Sequence, residues 1–133
     1  MTPRRALLLC VLIAVLAAPV AACSVARTVA SSGNDLAVTL TMTDIPVGGI
    51  VETLPDGCTW AGTDHPADRT RVSGQNVAFA VIGEETIRYR VQGPPEAGDE
   101  FSGTWEDLQT GESGAVGLGG PRSSGQAAQT TVP

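Results

Sequence analysis

The feature that most constrains the fold is an alternation of apolar and polar residues along the middle of the chain. In residues 36–42 (LAVTLTM), large apolar side chains alternate with alanine and threonine, and in 86–92 (TIRYRVQ) both arginines fall between apolar residues. Successive side chains of a β-strand point to opposite faces of the sheet, so each segment predicts a half-buried strand. We find no window with the period of an amphipathic helix between them.

Turn sequences divide this region into six or seven short strands. Pro55-Asp56-Gly57 suits a turn because proline presets φ and glycine accepts positive φ. Residues 93–100 (GPPEAGDE) contain adjacent prolines and predict a loop. This spacing favours an all-β fold, an antiparallel β-sandwich over residues 36–120, with a small closed barrel as the alternative. We expect the large core residues to be Trp60, Phe79, Tyr89, Phe101 and Trp105.

The chain begins with the pattern of a secretory signal peptide, which we assign to a signal helix over residues 1–22. Arg4 and Arg5 precede an uncharged apolar run at 6–18, and small residues follow. The apolar run is shorter than the roughly 20 residues of a membrane-spanning helix. Paired arginines also occur in twin-arginine signals, but the rest of that motif is missing, so the general secretory route is favoured.

A cysteine directly follows this segment, in the string Val20-Ala21-Ala22-Cys23. The string resembles the lipobox of bacterial lipoproteins. The resemblance implies cleavage before Cys23, a diacylglycerol on its thiol, usually an acyl group such as palmitate on the freed amine, and a lipid-anchored protein on the extracytoplasmic face of the cell membrane. Two or three acyl chains give stable anchoring where one gives only marginal binding. The alternative is an ordinary signal peptidase site and a secreted protein.

Two further cysteines bear on that choice. Cys10 lies within the apolar run and leaves with the signal, whereas Cys58 lies in the central region. If Cys23 is lipidated, Cys58 is a lone thiol in an oxidising compartment. If Cys23 is not lipidated, a disulfide between Cys23 and Cys58 is the alternative. No basic partner marks Cys58 as a nucleophile, so we expect a small, half-buried side chain at a strand start.

Two polar segments flank the predicted sandwich. Residues 23–35, read from the lipidated Cys23 onwards, are short, small and polar and predict a tether between the anchor and the domain. Residues 121–133 (PRSSGQAAQTTVP) predict a disordered C-terminal tail. The chain has fourteen acidic residues against eight arginines, for a formal net charge of −6. An acidic surface disfavours nucleic acid as a partner.

The central region contains, in this order, residues 50–57 (IVETLPDG), 72–79 (VSGQNVAF), Tyr89, a proline at 94 or 95, and 101–104 (FSGT). In their order and spacing these segments resemble the Ig-like β-sandwich modules of archaeal and bacterial cell-surface proteins. The resemblance implies a non-catalytic extracellular spacer, display or adhesion unit. Cys58 departs from the family, which tends to have an aromatic residue there, and AVGLGG at 115–120 lacks the usual valine-rich last strand.

The residues capable of chemistry form no recognised catalytic pattern. His65, the only histidine, lies between Asp64 and Asp68, and we expect a solvated acidic loop there. A calcium site using the two aspartates is the alternative, although the EF-hand pattern is missing. We predict no metal, no cofactor and no enzyme.

Paired acids and paired arginines have equally plain interpretations. The pairs 84–85 (EE) and 106–107 (ED) are expected to be turn acids, not the carboxylates of a glycosidase. Arg88 and Arg90 should point outward and discourage edge pairing, with anion or partner binding as the alternative.

The sequence therefore predicts a lipid-anchored protein of the cell envelope with a non-catalytic structural or interaction domain. The alternative is a ligand- or cell-wall-binding module whose partner is an envelope protein or a cell-wall polymer. An exposed row of aromatic residues would favour that alternative, and burial of Trp60 and Trp105 would count against it.

Overall fold

The computed structural model describes residues 23–118, so the predictions for the signal helix and the C-terminal tail lie outside the described residues. Ten strands and two short 3-10 helices follow one another in this range. No helix within it is long and apolar enough to cross a membrane. The elements are β1 (Ser24–Ser32), β2 (Asp35–Thr43), β3 (Val47–Thr53), β4 (Thr59–Thr63), η1 (Ala67–Arg69), β5 (Thr70–Ser73), β6 (Asn76–Ile82), β7 (Thr86–Gln92), η2 (Pro95–Asp99), β8 (Ser102–Asp107), β9 (Ser113–Ala115) and β10 (Gly117–Leu118).

The strands form two five-stranded sheets that pack face to face, which confirms the predicted all-β sandwich over the closed barrel. The first sheet has the order β10-β1-β2-β7-β4, and the second has the order β5-β6-β3-β8-β9. All neighbouring strands are antiparallel except β1 and β10, which run parallel with Ala26 opposite Gly117 and Arg27 opposite Leu118. The sandwich is therefore not purely antiparallel.

The core lies between the sheets and is built from the inward side chains that the alternation predicted. In β2 and β7, every second residue is buried and the residues between them are exposed or half-buried. Four of the five aromatic residues expected in the core are buried, and the half-buried Trp60 packs against them. The largest of the fully buried core side chains are Tyr89, Phe79, Leu36, Leu40, Ile50 and Ile87.

The predicted tether is wrong, because residues 24–32 form the first strand of the sandwich. β1 pairs with β2 over its whole length, from Ser24 opposite Thr43 to Ser32 opposite Asp35. The pattern was hidden because Arg27 occupies the central inward position of β1 and interrupts the apolar alternation. Among the described residues, the first strand therefore begins directly after Cys23.

The structure has ten strands where six or seven were predicted, and the extra ones are short or polar. β5 lies at the edge of the second sheet, and three of its four residues are exposed. Residues 115–118, which the sequence suggests as a short final strand, are divided between β9 and β10, which belong to different sheets. Neither piece has enough residues to show an alternation in the sequence.

Candidate functional site

Cys23 sits at one end of the sandwich and is in contact with the folded domain. Its Sγ lies 3.3 Å from the Asp44 carbonyl oxygen and 3.4 Å from Asp107 Oδ2. We call this the Cys23 end, made up of Cys23 and the connections at 44–46, 83–85 and 108–112. The side chain is half-buried and packs against the hydrophobic core.

The surroundings of Cys23 keep its thiol protonated. Partial burial first, and then the hydrogen bond to Asp107 and the nearby charge of Glu112, raise the pKa from 9.0 to about 11. A thiol is a nucleophile only as the thiolate, so free Cys23 reacts slowly near neutral pH.

Cys58 is more deeply buried than the sequence predicted. Only 2 % of its surface is exposed, and it lies just before β4. Burial, followed by the charge of Glu100, raises the pKa of its thiol. Cys23 and Cys58 are both free cysteines, so the alternative disulfide is not formed in this structure.

Asp107 is a buried carboxylate that holds the turn after β8. Its Oδ1 accepts a hydrogen bond from the Gln109 N–H at 3.0 Å, and its Oδ2 accepts one from the Thr110 hydroxyl at 3.0 Å. The Gln109 N–H does most to lower the pKa of Asp107, with help from Thr110 and Cys23 and against the effect of burial. This acid has the turn role that was expected of it.

The outer face of the first sheet carries an open groove with two arginines. The groove has a volume of about 480 Å³. Arg88 and Arg90 are exposed on β7 as predicted, opposite Thr39 and Ala37 of β2. Neither arginine forms an ion pair within residues 23–118, whose two salt bridges involve other side chains. Asp64 also lines the groove, so the groove contains one acidic side chain and two arginines.

The interior contains a charged cluster that sequence reasoning missed. Arg27 of β1 binds Glu52 of β3 at two points, with Nε 2.8 Å from Oε1 and Nη2 2.6 Å from Oε2. The Tyr89 hydroxyl of β7 donates to Glu52 Oε1 at 2.7 Å. The cluster crosses from one sheet to the other, because β1 and β7 belong to the first and β3 to the second.

Every member of this cluster is satisfied and shielded from water. Arg27 also donates to the Phe101 carbonyl at 3.3 Å, and its guanidinium carbon lies 5.8 Å from the Phe101 ring centre. Burial, followed by the charge of Glu52, raises the pKa of the Tyr89 phenol far above its ordinary range. Arg27, Glu52 and Tyr89 are each at most 4 % exposed. The cluster therefore joins the two sheets and has no access to a substrate.

His65 is not solvated as the sequence predicted. It is 7 % exposed, its Nε2 donates to the Ala80 carbonyl at 2.8 Å, and its ring meets Phe79 edge-on with centres 5.7 Å apart. The neighbouring Asp64 and Asp68 are exposed, as expected for the loop. His65 thus fastens the loop before η1 onto β6, because a proline, a hydrogen bond and an aromatic contact bring it inward.

The described part of the chain contains no group of three or more His, Cys, Asp or Glu side chains arranged to hold a metal ion. Glu84 instead pairs with Arg69 at 2.8 Å and accepts a hydrogen bond from the Ile82 N–H at 2.7 Å. It is a turn acid, as predicted.

The large aromatic side chains pack within or against the hydrophobic core, with four of them buried and Trp60 half-buried. The sequence has two tryptophans, one tyrosine and two phenylalanines, and all five lie within the described range. Trp60 is stacked on Tyr89 with ring centres 5.6 Å apart, and Trp105 is 8 % exposed. A flat aromatic surface on which a sugar ring could stack is therefore not formed by these side chains.

Comparison with known proteins gives one partial structural likeness. No family model matches the chain, and no curated protein matches it. The crystal structure of a chitin-binding domain of a chitinase from Pyrococcus furiosus is similar to 55% of this chain and 80% of that one, with 19% sequence identity and a TM-score of 0.43. At this level of similarity we transfer no binding property or residue role from that domain.

Proposed function

We propose that this protein is a lipid-anchored, non-catalytic interaction module on the extracytoplasmic face of the cell membrane, attached through Cys23. The observation that carries the proposal is the string Val20-Ala21-Ala22-Cys23 at the end of a signal-like segment. The fold supports it, because β1 begins at Ser24, and cleavage before Cys23 leaves every described strand intact.

The contacts of Cys23 are compatible with a thioether. Replacing the S–H by an S–C bond removes one donor from Asp107, which keeps its hydrogen bonds from Gln109 and Thr110. No buried carboxylate is then left without a donor, so the modification has little effect on the fold. Two or three acyl chains at this residue anchor the domain stably.

The ionisable groups support a binding role over a catalytic one. In the interior, Arg27 and Glu52 form an ion pair with each other. His65 is held by the Ala80 carbonyl and the Phe79 ring. A general acid or base must reach the proton that it transfers, and Glu52 and Tyr89 are enclosed by the two sheets.

Membrane fractionation with radiolabelled palmitate tests the anchor. The wild-type chain should enter the detergent phase and carry label, whereas Cys23→Ala should do neither. Cys58→Ala is the matched control, because it also removes one thiol and should still be labelled. Label on Cys23→Ala, or an unmodified Cys23 in the mass spectrum of the mature wild-type chain, would overturn the proposal.

A second candidate function is binding of an anionic cell-wall polymer or envelope protein on the outer face of the first sheet. The observation that favours it is the pair Arg88 and Arg90, two exposed cations without an ion pair among residues 23–118 on an otherwise acidic protein. Exposed guanidinium groups bind carboxylate and phosphate groups through paired hydrogen bonds.

Retention on immobilised dextran sulfate, with neutral dextran as the reference matrix, tests this candidate. The double variant Arg88→Ser/Arg90→Ser should lose retention, and salt should weaken the binding of the wild type. Arg71→Ser is the control, since Arg71 is an exposed arginine on β5 of the other sheet. Equal loss in the control would show that only net charge matters.

A further inference from the structure

Three apolar side chains form a row across the outer surface of the second sheet, at the Cys23 end. Val47 of β3 is paired with Ile82 of β6, and the Leu108 N–H donates to the Val47 carbonyl at 3.0 Å. Opposite side chains on adjacent strands are about 5 Å apart, so the three form one continuous patch. We call Val47, Ile82 and Leu108 the apolar row.

The exposure of this row is unusual for the molecule. Leu108 is 62% exposed and Ile82 is 59% exposed, the two highest values among the large apolar side chains of residues 23–118. They lie on either side of the half-buried Val47, whereas the other exposed apolar residues are farther along the sheets. A contiguous exposed apolar patch is typical of a site that contacts a partner or a membrane, whereas singly scattered apolar residues are ordinary.

The row lies close to the sulfur of Cys23. Asp107 Oδ2 is 3.4 Å from Cys23 Sγ, and Leu108 is the next residue in the chain. The Asp44 carbonyl oxygen is 3.3 Å from the same sulfur, and Val47 comes three residues after Asp44. No spacer separates Cys23 from β1, so acyl chains on this sulfur would hold the Cys23 end at the lipid surface.

We propose that the apolar row rests against the lipid surface that holds the acyl chains of Cys23, so that the protein is fixed in one orientation on the membrane. The inference deepens the proposed function and rests on it. In this orientation the Cys23 end meets the interface between headgroups and acyl chains, where leucine and isoleucine side chains partition. The opposite end, with Asp56 and η2, faces away from the membrane.

The charges near the row indicate which lipid it contacts. Asp44, Glu85, Glu106 and Glu112 lie at or beside the Cys23 end, and Glu84 is paired with Arg69. Unpaired acids repel an anionic surface. The contact should therefore form on zwitterionic lipid and weaken as anionic lipid is added at low salt.

Tryptophan fluorescence on vesicles tests the orientation. The variants Leu108→Trp and Asp56→Trp place an indole at the Cys23 end and at the opposite end, and both positions are exposed. The full lipidated chain would be reconstituted into phosphatidylcholine vesicles with or without bromine on the acyl chains. Trp60 and Trp105 contribute the same internal signal to both variants.

Brominated lipid should quench the added emission of Leu108→Trp and leave that of Asp56→Trp unchanged. Adding Ile82→Ser to Leu108→Trp should reduce the quenching. Equal emission from Leu108→Trp in brominated and ordinary vesicles would overturn the orientation, even if flotation shows that the chain is anchored.

Mass spectrometry tests separately whether Cys23 carries acyl groups. If Cys23 carries no acyl group, the proposed function has failed. The mature chain would then be coupled through Cys23 to an iodoacetyl-headgroup lipid at alkaline pH, where more of this thiol is ionised. Cys58 is 2 % exposed and should not react. Quenching of Leu108→Trp on such vesicles would still support the contact of the row with lipid, and its absence would overturn it.

Discussion

Arg27 and Glu52 form a two-point ion pair that connects the strand next to Cys23 with the opposite sheet. Arg27 comes four positions after Cys23, and β1 has no other buried charged side chain. The pair therefore fastens to the core the element that would receive the pull of a lipid anchor.

Breaking this pair from one side should be costly. Arg27→Met leaves a buried carboxylate with only Tyr89 as its donor, and we expect a loss of about 3–5 kcal/mol in the free energy of unfolding. The double variant Arg27→Met/Glu52→Leu removes both charges and should recover much of the loss. Urea unfolding of the unlipidated chain measures both values. A double variant as unstable as the single one would contradict this account.

Gly103 should not tolerate a side chain. A Cβ at this position of β8 would clash with Glu52 Oε2 and come within 2.9 Å of the Val51 carbonyl oxygen. We expect Gly103→Ala to reduce stability by about 1–3 kcal/mol in thermal or urea unfolding. Gly49→Ala is the control, because its Cβ would meet nothing closer than the Phe79 carbonyl oxygen at 3.8 Å. Similar losses in both variants would show that the clash with Glu52 is unimportant.

The carboxylate of Asp107 should make stability depend on pH in the acid range. Its pKa in the folded protein lies below the ordinary 3.8, chiefly because of the Gln109 N–H. The folded state then binds fewer protons than the unfolded state, so this stabilisation is present above pH 3.8 and is lost as the pH falls through the lowered pKa.

Comparing the wild type with Asp107→Asn checks this dependence. Urea midpoints measured at a series of pH values below 5 should fall less steeply for the variant, because it has no carboxyl group to protonate. Parallel curves would show that Asp107 does not contribute to acid unfolding.

The Cys23 thiol should react slowly in an unlipidated chain that keeps Ala22 joined to Cys23, so that no free α-amino group lies beside the thiol. With a pKa of about 11, in place of the ordinary 9.0, its thiolate fraction near neutral pH is lower by about a hundredfold. The rate of alkylation by iodoacetamide should rise with pH with a midpoint of about 11. Asp107→Asn removes a carboxylate that raises the pKa of Cys23, so the midpoint of the alkylation rate should move to lower pH. A midpoint near 9.0 in the wild type would contradict the contact between Cys23 and Asp107.

The strands that the sequence predicted most completely are β2 and β7, whose inward positions are all apolar. β2 and β7 alternate without interruption, so their faces and even the outward Arg88 and Arg90 were predicted correctly. β1 was missed because Arg27 occupies an inward position, and its partner Glu52 was not recognised as buried for the same reason.

A signal for this cluster was present in the sequence. Glu52 alternates with Ile50 and Leu54, so the strand's own period places it on the apolar face. Arg27 lies in the same way between Val25 and Val29. Two opposite charges at inward positions of different strands predict a buried pair, but their contact depends on how the sheets stack, which a local pattern does not contain.

The inward turn of His65 could not be predicted by the same reasoning. Its neighbours are two aspartates and a proline, a composition typical of an exposed loop, and its partner Ala80 is fifteen residues away. The contact with Phe79 and the Ala80 carbonyl arises only when β6 is in place beside η1.

The parallel pairing of β1 and β10 has a mechanical consequence. Tension between Cys23 and Leu118 would act on the start of one strand and the end of the other, which lie at opposite ends of a parallel pair. Such a load acts along the strands and strains all of their hydrogen bonds at once, so the bonds do not break one after another. Stretching between Cys23 and Leu118 would thus be resisted by the outermost pair of strands of the first sheet.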